Sequence, residues 1–103
     1  MTDWATIKAD AIDAAEEELT GNWNTVATSA TAQIGALVDI AQYVEEHKTE
    51  MPQAQYQFLI DQHKDTLQSV LTGYEAIGLA MAQNAVNAVM QVIIAALPGL
   101  VGL

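Results

Sequence analysis

At 103 residues the chain is one domain at most, and alone it would bury only about two-thirds of its unfolded surface. Apolar residues make up 51% and charged residues 16%, short of the roughly 25% of an average soluble domain, so another subunit or lipid is expected to cover part of the surface. Thirteen Asp and Glu against three Lys give a net charge of −10 that repels phosphate backbones and excludes nucleic acid as a partner; the absence of cysteine excludes disulfides and thiolate metal sites.

The opening Met1-Thr2-Asp3-Trp4 carries no basic region followed by an apolar run. No signal peptide is expected, which places the chain in the cytoplasm or in an assembled particle. A first helical arm is expected over about residues 3–48. Ile12, Leu19, Val26, Gln33 and Ile40 recur every seventh position, with Ala15, Trp23, Ala30, Leu37 and Val44 between them. That is the seam of a helix packed lengthwise on another. The seam keeps its phase through Thr20-Gly21-Asn22-Trp23-Asn24, where local propensity allows a helix to end. Ending there would put Glu16, Glu17 and Glu18 at a helix C-terminus, where the macrodipole disfavours negative charge. One long first helix, kinked at most at Gly21, is therefore preferred; a break near Gly21, giving three helices, is the alternative. Together with Asp10 and Asp13, the glutamates read as a solvated acidic face, since no glycine-containing loop converges their oxygens on a cation.

Pro52, in Lys48-Thr49-Glu50-Met51-Pro52, sets a turn over about 49–52. It lacks an N–H and drives Met51 out of helical geometry, and His47 and Lys48 would sit in the last turn of the preceding helix. A second arm is expected over 52–97, followed by an apolar tail, 98–103. Along it Tyr56, Ile60, His63, Leu67, Val70, Tyr74, Ile77 and Met81 alternate spacings of four and three, while Asp61, Lys64 and Asp65 read as exposed. Further on, Asn84, Asn87 and Gln91 continue the positions that carried Val70, Gly73 and Ile77, and Val86, Val89 and Ile93 lie on the opposite side. The apolar face has rotated. Two stretches, Leu19–Val38 and Ala76–Leu103, carry no charge at all. Neutral amides along a seam suit hydrogen bonding between equivalent helices, where they fix register.

The chemistry-bearing residues do not assemble a reaction centre. His47 and His63 lie on opposite arms, about ten residues apart along the hairpin, roughly 15 Å at helical rise. Val44 and Ile60 stand three residues before them, so the Glu-x-x-His motif of carboxylate-bundle metal sites is missing. No Gly-x-Ser-x-Gly elbow occurs, and the glycines at 21, 35, 73, 78, 99 and 102 form no phosphate loop. No catalytic, metal-binding or cofactor-binding residue is assigned, no small-molecule substrate is identified, and the chain is not expected to be an enzyme.

The expected fold is all-α: a long antiparallel helical hairpin that packs into a multichain helical bundle. Its self-association seam is expected to comprise Leu37, Ile40, Val44, Tyr56, Ile60, Leu67, Val70, Tyr74, Ile77 and Met81, then Asn84, Asn87 and Gln91. The expected role is that of a non-enzymatic structural subunit, a homo-oligomer. In plan the chain is similar to small virion-type or secreted hairpin subunits that work only as assemblies. It departs from the secreted hairpins with a Trp-x-Gly turn, because Trp23 is followed by Asn24-Thr25. The alternative is a membrane-inserting or pore-forming protein that uses residues 76–97, long enough to span a bilayer. Against that, no Lys or Arg flanks the segment and Gln83, Asn84, Asn87 and Gln91 fall near its middle.

Overall fold

The computed structural model describes residues 3–97. It is all-α, with four helices: α1 Trp4–Leu19, α2 Trp23–His47, α3 Gln53–Thr72 and α4 Leu79–Ala96. Asp3 caps α1: its carboxylate accepts from the Thr6 backbone N–H at 3.1 Å and from the Thr6 hydroxyl at 2.7 Å. The hydroxyl bond, then the backbone bond, holds the Asp3 pKa below the usual carboxylate value. Beyond the cap, Ile7, Ala11, Ala15 and Leu19 form a buried row at intervals of four, and Ala11 and Ala15 are small enough to let a neighbouring helix approach closely.

The preferred expectation of an unbroken first helix is corrected here. The 44 residues from Trp4 to His47 are helical apart from a single 3₁₀ turn, Thr20–Asn22, but the chain reverses at that turn. A straight helix of that length would span about 66 Å, whereas the longest extent of the molecule is 41 Å. Lys8 Nζ instead lies 3.0 Å from Asp39 Oδ1, across two antiparallel helices. The alternative break near Gly21 is thus the one observed, with the acidic run at the C-terminus of α1 after all. An exposed charge facing a helix dipole costs about 0.3–1 kcal/mol, whereas burying Ile7 or Leu19 contributes about 1.5–3 kcal/mol each. Packing outweighs the dipole.

The hairpin between α2 and α3 has its tip where Pro52 placed it. The Glu50 N–H donates to the His47 carbonyl at 2.9 Å to close the turn after α2. Pro52 then adopts φ −58°, ψ 146° as the N-cap of α3, its carbonyl accepting from Gln55 and Tyr56. The second arm is not continuous, however. It stops at Thr72 and resumes at Leu79 after a connection held by hydrogen bonds from Tyr74 N to Leu71 O and from Ile77 N to Tyr74 O. Ile77, only 3% exposed, anchors that connection in the core, and the Tyr74 hydroxyl lies 3.1 Å from Ser29 Oγ on α2. Helix α4 then folds back as the fourth element. The apolar tail expected at 98–103 lies outside the described residues.

The helices close a ring: α1 lies along α4, α4 beside α3, α3 along α2 and α2 beside α1. Short connections make successive helices antiparallel, an up-down-up-down bundle. Between them lies a core of Ala, Val, Ile, Leu and one Met, with no polar or charged side chain buried among the described residues. No aromatic ring is fully buried either: Trp4, Trp23, Tyr56 and Tyr74 pack against the core from its margin, while Tyr43 and Phe58 are exposed. The chain presents 5647 Å² to solvent, close to the roughly 5600 Å² expected of a compact monomer of its mass. One copy therefore encloses its own core.

Candidate functional site: the amide face of the last helix

Helix α4 resolves the rotation seen in the sequence. Ala82, Ala85, Val86, Val89, Met90 and Ile93 are buried, and they turn the opposite side outward. On that outer side lie Ala80, Gln83, Asn84, Asn87, Gln91 and Ala95, all exposed and none ionisable. The buried side of α4 includes Ala82 and Ala85, the buried row of α1 includes Ala11 and Ala15, and the two helices pack closely along one another. That close approach brings Glu18, near the end of α1, to the edge of the amide face. Glu18, Asn84, Asn87, Ala88 and Gln91 together line an open cleft of about 330 Å³. The Asn22 side-chain N–H, donating 3.5 Å to Met81 Sδ, ties the 3₁₀ turn to the start of the same helix.

The residues expected to form one continuous seam divide between two environments. Leu37, Val44, Ile60, Leu67 and Ile77 are buried within the chain, and Ile40, Tyr56, Val70, Tyr74 and Met81 are half-buried at its margin. Their apolar surface is spent on contacts among α2, α3 and α4 of the same molecule. Asn84, Asn87 and Gln91 remain exposed on α4, and all the seam residues but these and Met81 lie before that helix. Of the expected seam, this amide portion alone is fully exposed. Sequence reading missed Glu18 as its neighbour, because Glu18 and Asn84 become adjacent only once α1 folds back; the single local signal was Thr20-Gly21-Asn22.

Neither histidine joins the cleft. The Nδ1–H of His47 donates to the Tyr43 carbonyl at 2.8 Å, and the ring stacks on Tyr43 with centroids 4.3 Å apart. The Nδ1–H of His63 likewise donates to the Leu59 carbonyl at 2.9 Å. Each ring is thereby oriented by its own helix, one turn back. No group of three His, Asp or Glu side chains converges on a common point among the described residues. Asp10, Asp13, Glu16, Glu17 and Glu18 are all exposed on α1, and Asp61 and Asp65 are exposed on α3. Lys64 Nζ lies 3.8 Å from Asp61 Oδ1, and Lys48 Nζ 2.9 Å from Glu45 Oε1, each within about one turn of helix.

With this geometry in view, comparison with known proteins finds no matching family model, no matching curated protein and no matching solved structure. The arrangement itself sets the chemical possibilities. An outer face of carboxamides offers donors and acceptors in equal measure and no net charge, with one carboxylate at its rim. Such a surface pairs well with another like itself.

Proposed function

We propose that this protein is a non-enzymatic structural subunit that associates with copies of itself through the outer face of α4. The observation that carries this reading is the exposure of Asn84, Asn87 and Gln91 on a helix with no charged residue anywhere along it. Charged residues are depleted at the centres of protein interfaces and enriched on free surfaces. On this molecule α1 and α3 present carboxylates to water, while α4 presents amides, alanines and, at its first residue, Leu79. Amide pairs across two such faces fix register, and Glu18 at the rim disfavours any offset that brings two carboxylates together.

Light scattering on a size-exclusion column tests this directly. The native chain is expected to elute as a discrete multimer. The near-isosteric double change Asn84→Asp with Asn87→Asp places two charges in the face and is expected to weaken association at least about tenfold, an electrostatic cost of about 1.4 kcal/mol or more. A charge added away from this face, by Gln62→Glu at exposed Gln62 on α3, should leave the mass unchanged. A native chain that is monomeric at all concentrations, or a multimer indifferent to both changes, refutes the proposal.

A second reading, insertion of α4 into a bilayer with its amides lining a pore, rests on the apolarity of that helix: 18 residues with mean hydropathy 1.4. At helical rise it spans about 27 Å against a hydrocarbon thickness of about 30 Å, and one third of it is seated in the bundle. Insertion would require α1 to release it. Co-flotation with lipid vesicles is the outcome that would favour this reading over the first.

A further inference from the structure

We propose that the turn between α1 and α2 is a hinge through which two copies of this chain exchange their α1 helices. This goes beyond the amide-face reading and does not depend on it. The hinge is a single strained residue. Thr20 has φ 49° and ψ −124°, and it is the one non-glycine residue with positive φ among those described. These angles mirror the first central position of a type II turn, a place that glycine fills at no cost and a β-branched side chain fills with strain. On either side, Leu19 (φ −84°, ψ −17°), Asn22 (φ −81°, ψ −10°) and Trp23 (φ −56°, ψ −45°) are already in the right-handed helical region. Returning Thr20 to that region brings α1 and α2 towards a single helix.

Two further observations show that the straightened form has somewhere to go. First, the sevenfold seam passes through the turn without losing phase: Leu19 and Val26, both buried, keep the spacing of Ile12 and Ile40 on either side. A turn that served only to reverse the chain has no need of that register. Second, the partners of α1 are all found on any second copy. Its buried row of Ile7, Ala11, Ala15 and Leu19 packs chiefly on α4, and Lys8 pairs with Asp39 on α2. Seated in a second molecule, α1 remakes each of these contacts. The exchanged dimer then differs from two monomers by the relief of two strained residues and by the new contact where the straightened helices pass. Short, strained connections are the usual starting point of such exchange.

The absence of cysteine allows a clean test. Lys8→Cys is placed in one batch of protein and Asp39→Cys in another, both carrying the helix-favouring hinge Thr20→Ala with Gly21→Ala. The batches are mixed and treated with a short bismaleimide. Positions 8 and 39 face each other within one chain in the monomer and between chains after exchange. The expected result is a covalent adduct of the two different chains in a species of twice the monomer mass. Replacing the hinge change by Thr20→Gly, which removes strain from the turn itself, should raise the dimer dissociation constant by about a hundredfold, about tenfold for each hinge. Gly21→Ala alone serves as the second variant, because a methyl there meets nothing within 4 Å. A helical protein that yields no mixed adduct with either hinge overturns the proposal. So does a dimer of the chain bearing both cysteines in which every cross-link lies within one chain, the pattern that association through the amide face alone would give.

Discussion

Thr20 and Gly21 stand side by side, and the backbone assigns the demanding conformation to the wrong one of them. A reversal at Thr20-Gly21-Asn22 invites the assumption that glycine supplies the positive φ, but it is Thr20 that does so. Thr20→Gly is therefore expected to raise stability by up to about 1 kcal/mol, relief of strain being partly offset by the greater freedom of an unfolded glycine. Gly21→Ala should stay within about 0.5 kcal/mol of the native chain, because its new methyl meets open space. Urea unfolding followed at 222 nm measures both. The reverse pattern, with Gly21→Ala harmful and Thr20→Gly neutral, would place the special conformation at Gly21.

At the scale of elements, the sequence and the structure agree wherever the signal is local and part company wherever tertiary packing decides. Pro52 marked the tip of the α2–α3 hairpin because a missing N–H acts within its own residues. The rotated stripe of α4 was equally legible, with Val86, Val89 and Ile93 inward and Asn84, Asn87 and Gln91 outward. The two reversals were not legible as such. A seam in phase across Thr20 resembles an unbroken helix, and the acidic end of α1 argued against stopping there; nothing local announces the gain from laying α1 on α4. At 73–78 a signal did exist. Gly73 and Gly78 flank the point where the apolar face changes sides, and a straight helix cannot change sides without a break. The amide residues of the candidate site were named from sequence, but the burial of much of the remaining seam within the chain and the presence of Glu18 followed only from the folded arrangement.

Elements also differ in how much each side chain holds. Leu67 on α3 is 1% exposed, whereas Phe58 on the same helix is 65% exposed. Leu67→Ala is expected to cost about 2–5 kcal/mol by cavity formation, and Phe58→Ala less than about 0.5 kcal/mol despite the larger side chain removed. Thermal unfolding of the two variants compares them; equal losses would mean that Phe58 is covered in solution, a result that would itself point to an interface on α3.

For the whole molecule the dominant fact is the imbalance of charge. Thirteen acidic residues share three lysines, and each lysine sits in an ion pair: Lys8 with Asp39, Lys48 with Glu45 and Lys64 with Asp61. Pairs at or near the surface contribute little, about 0–1 kcal/mol each, while the remaining carboxylates repel one another across a molecule 26 Å by 19 Å in section. At low salt the screening length is about 30 Å, longer than either dimension, and at 1 M it falls to about 3 Å. Added sodium chloride is thus expected to stabilise the fold by on the order of 1 kcal/mol, seen as a rising urea midpoint. A midpoint that falls with salt would show that the ion pairs outweigh the repulsion.

The wholly aliphatic core has an optical consequence. Indole and phenol rings lie at the rim of the bundle or outside it, so near-ultraviolet dichroism and tryptophan emission look at the seams between helices and not at the packed centre. Trp23, directly after the reversal at Thr20, is positioned to register movement of α1 while the interior stays intact. An emission change that precedes loss of helicity on heating would then mark the parting of α1 from α2, and the interior itself would be visible only through its methyl groups, by nuclear magnetic resonance.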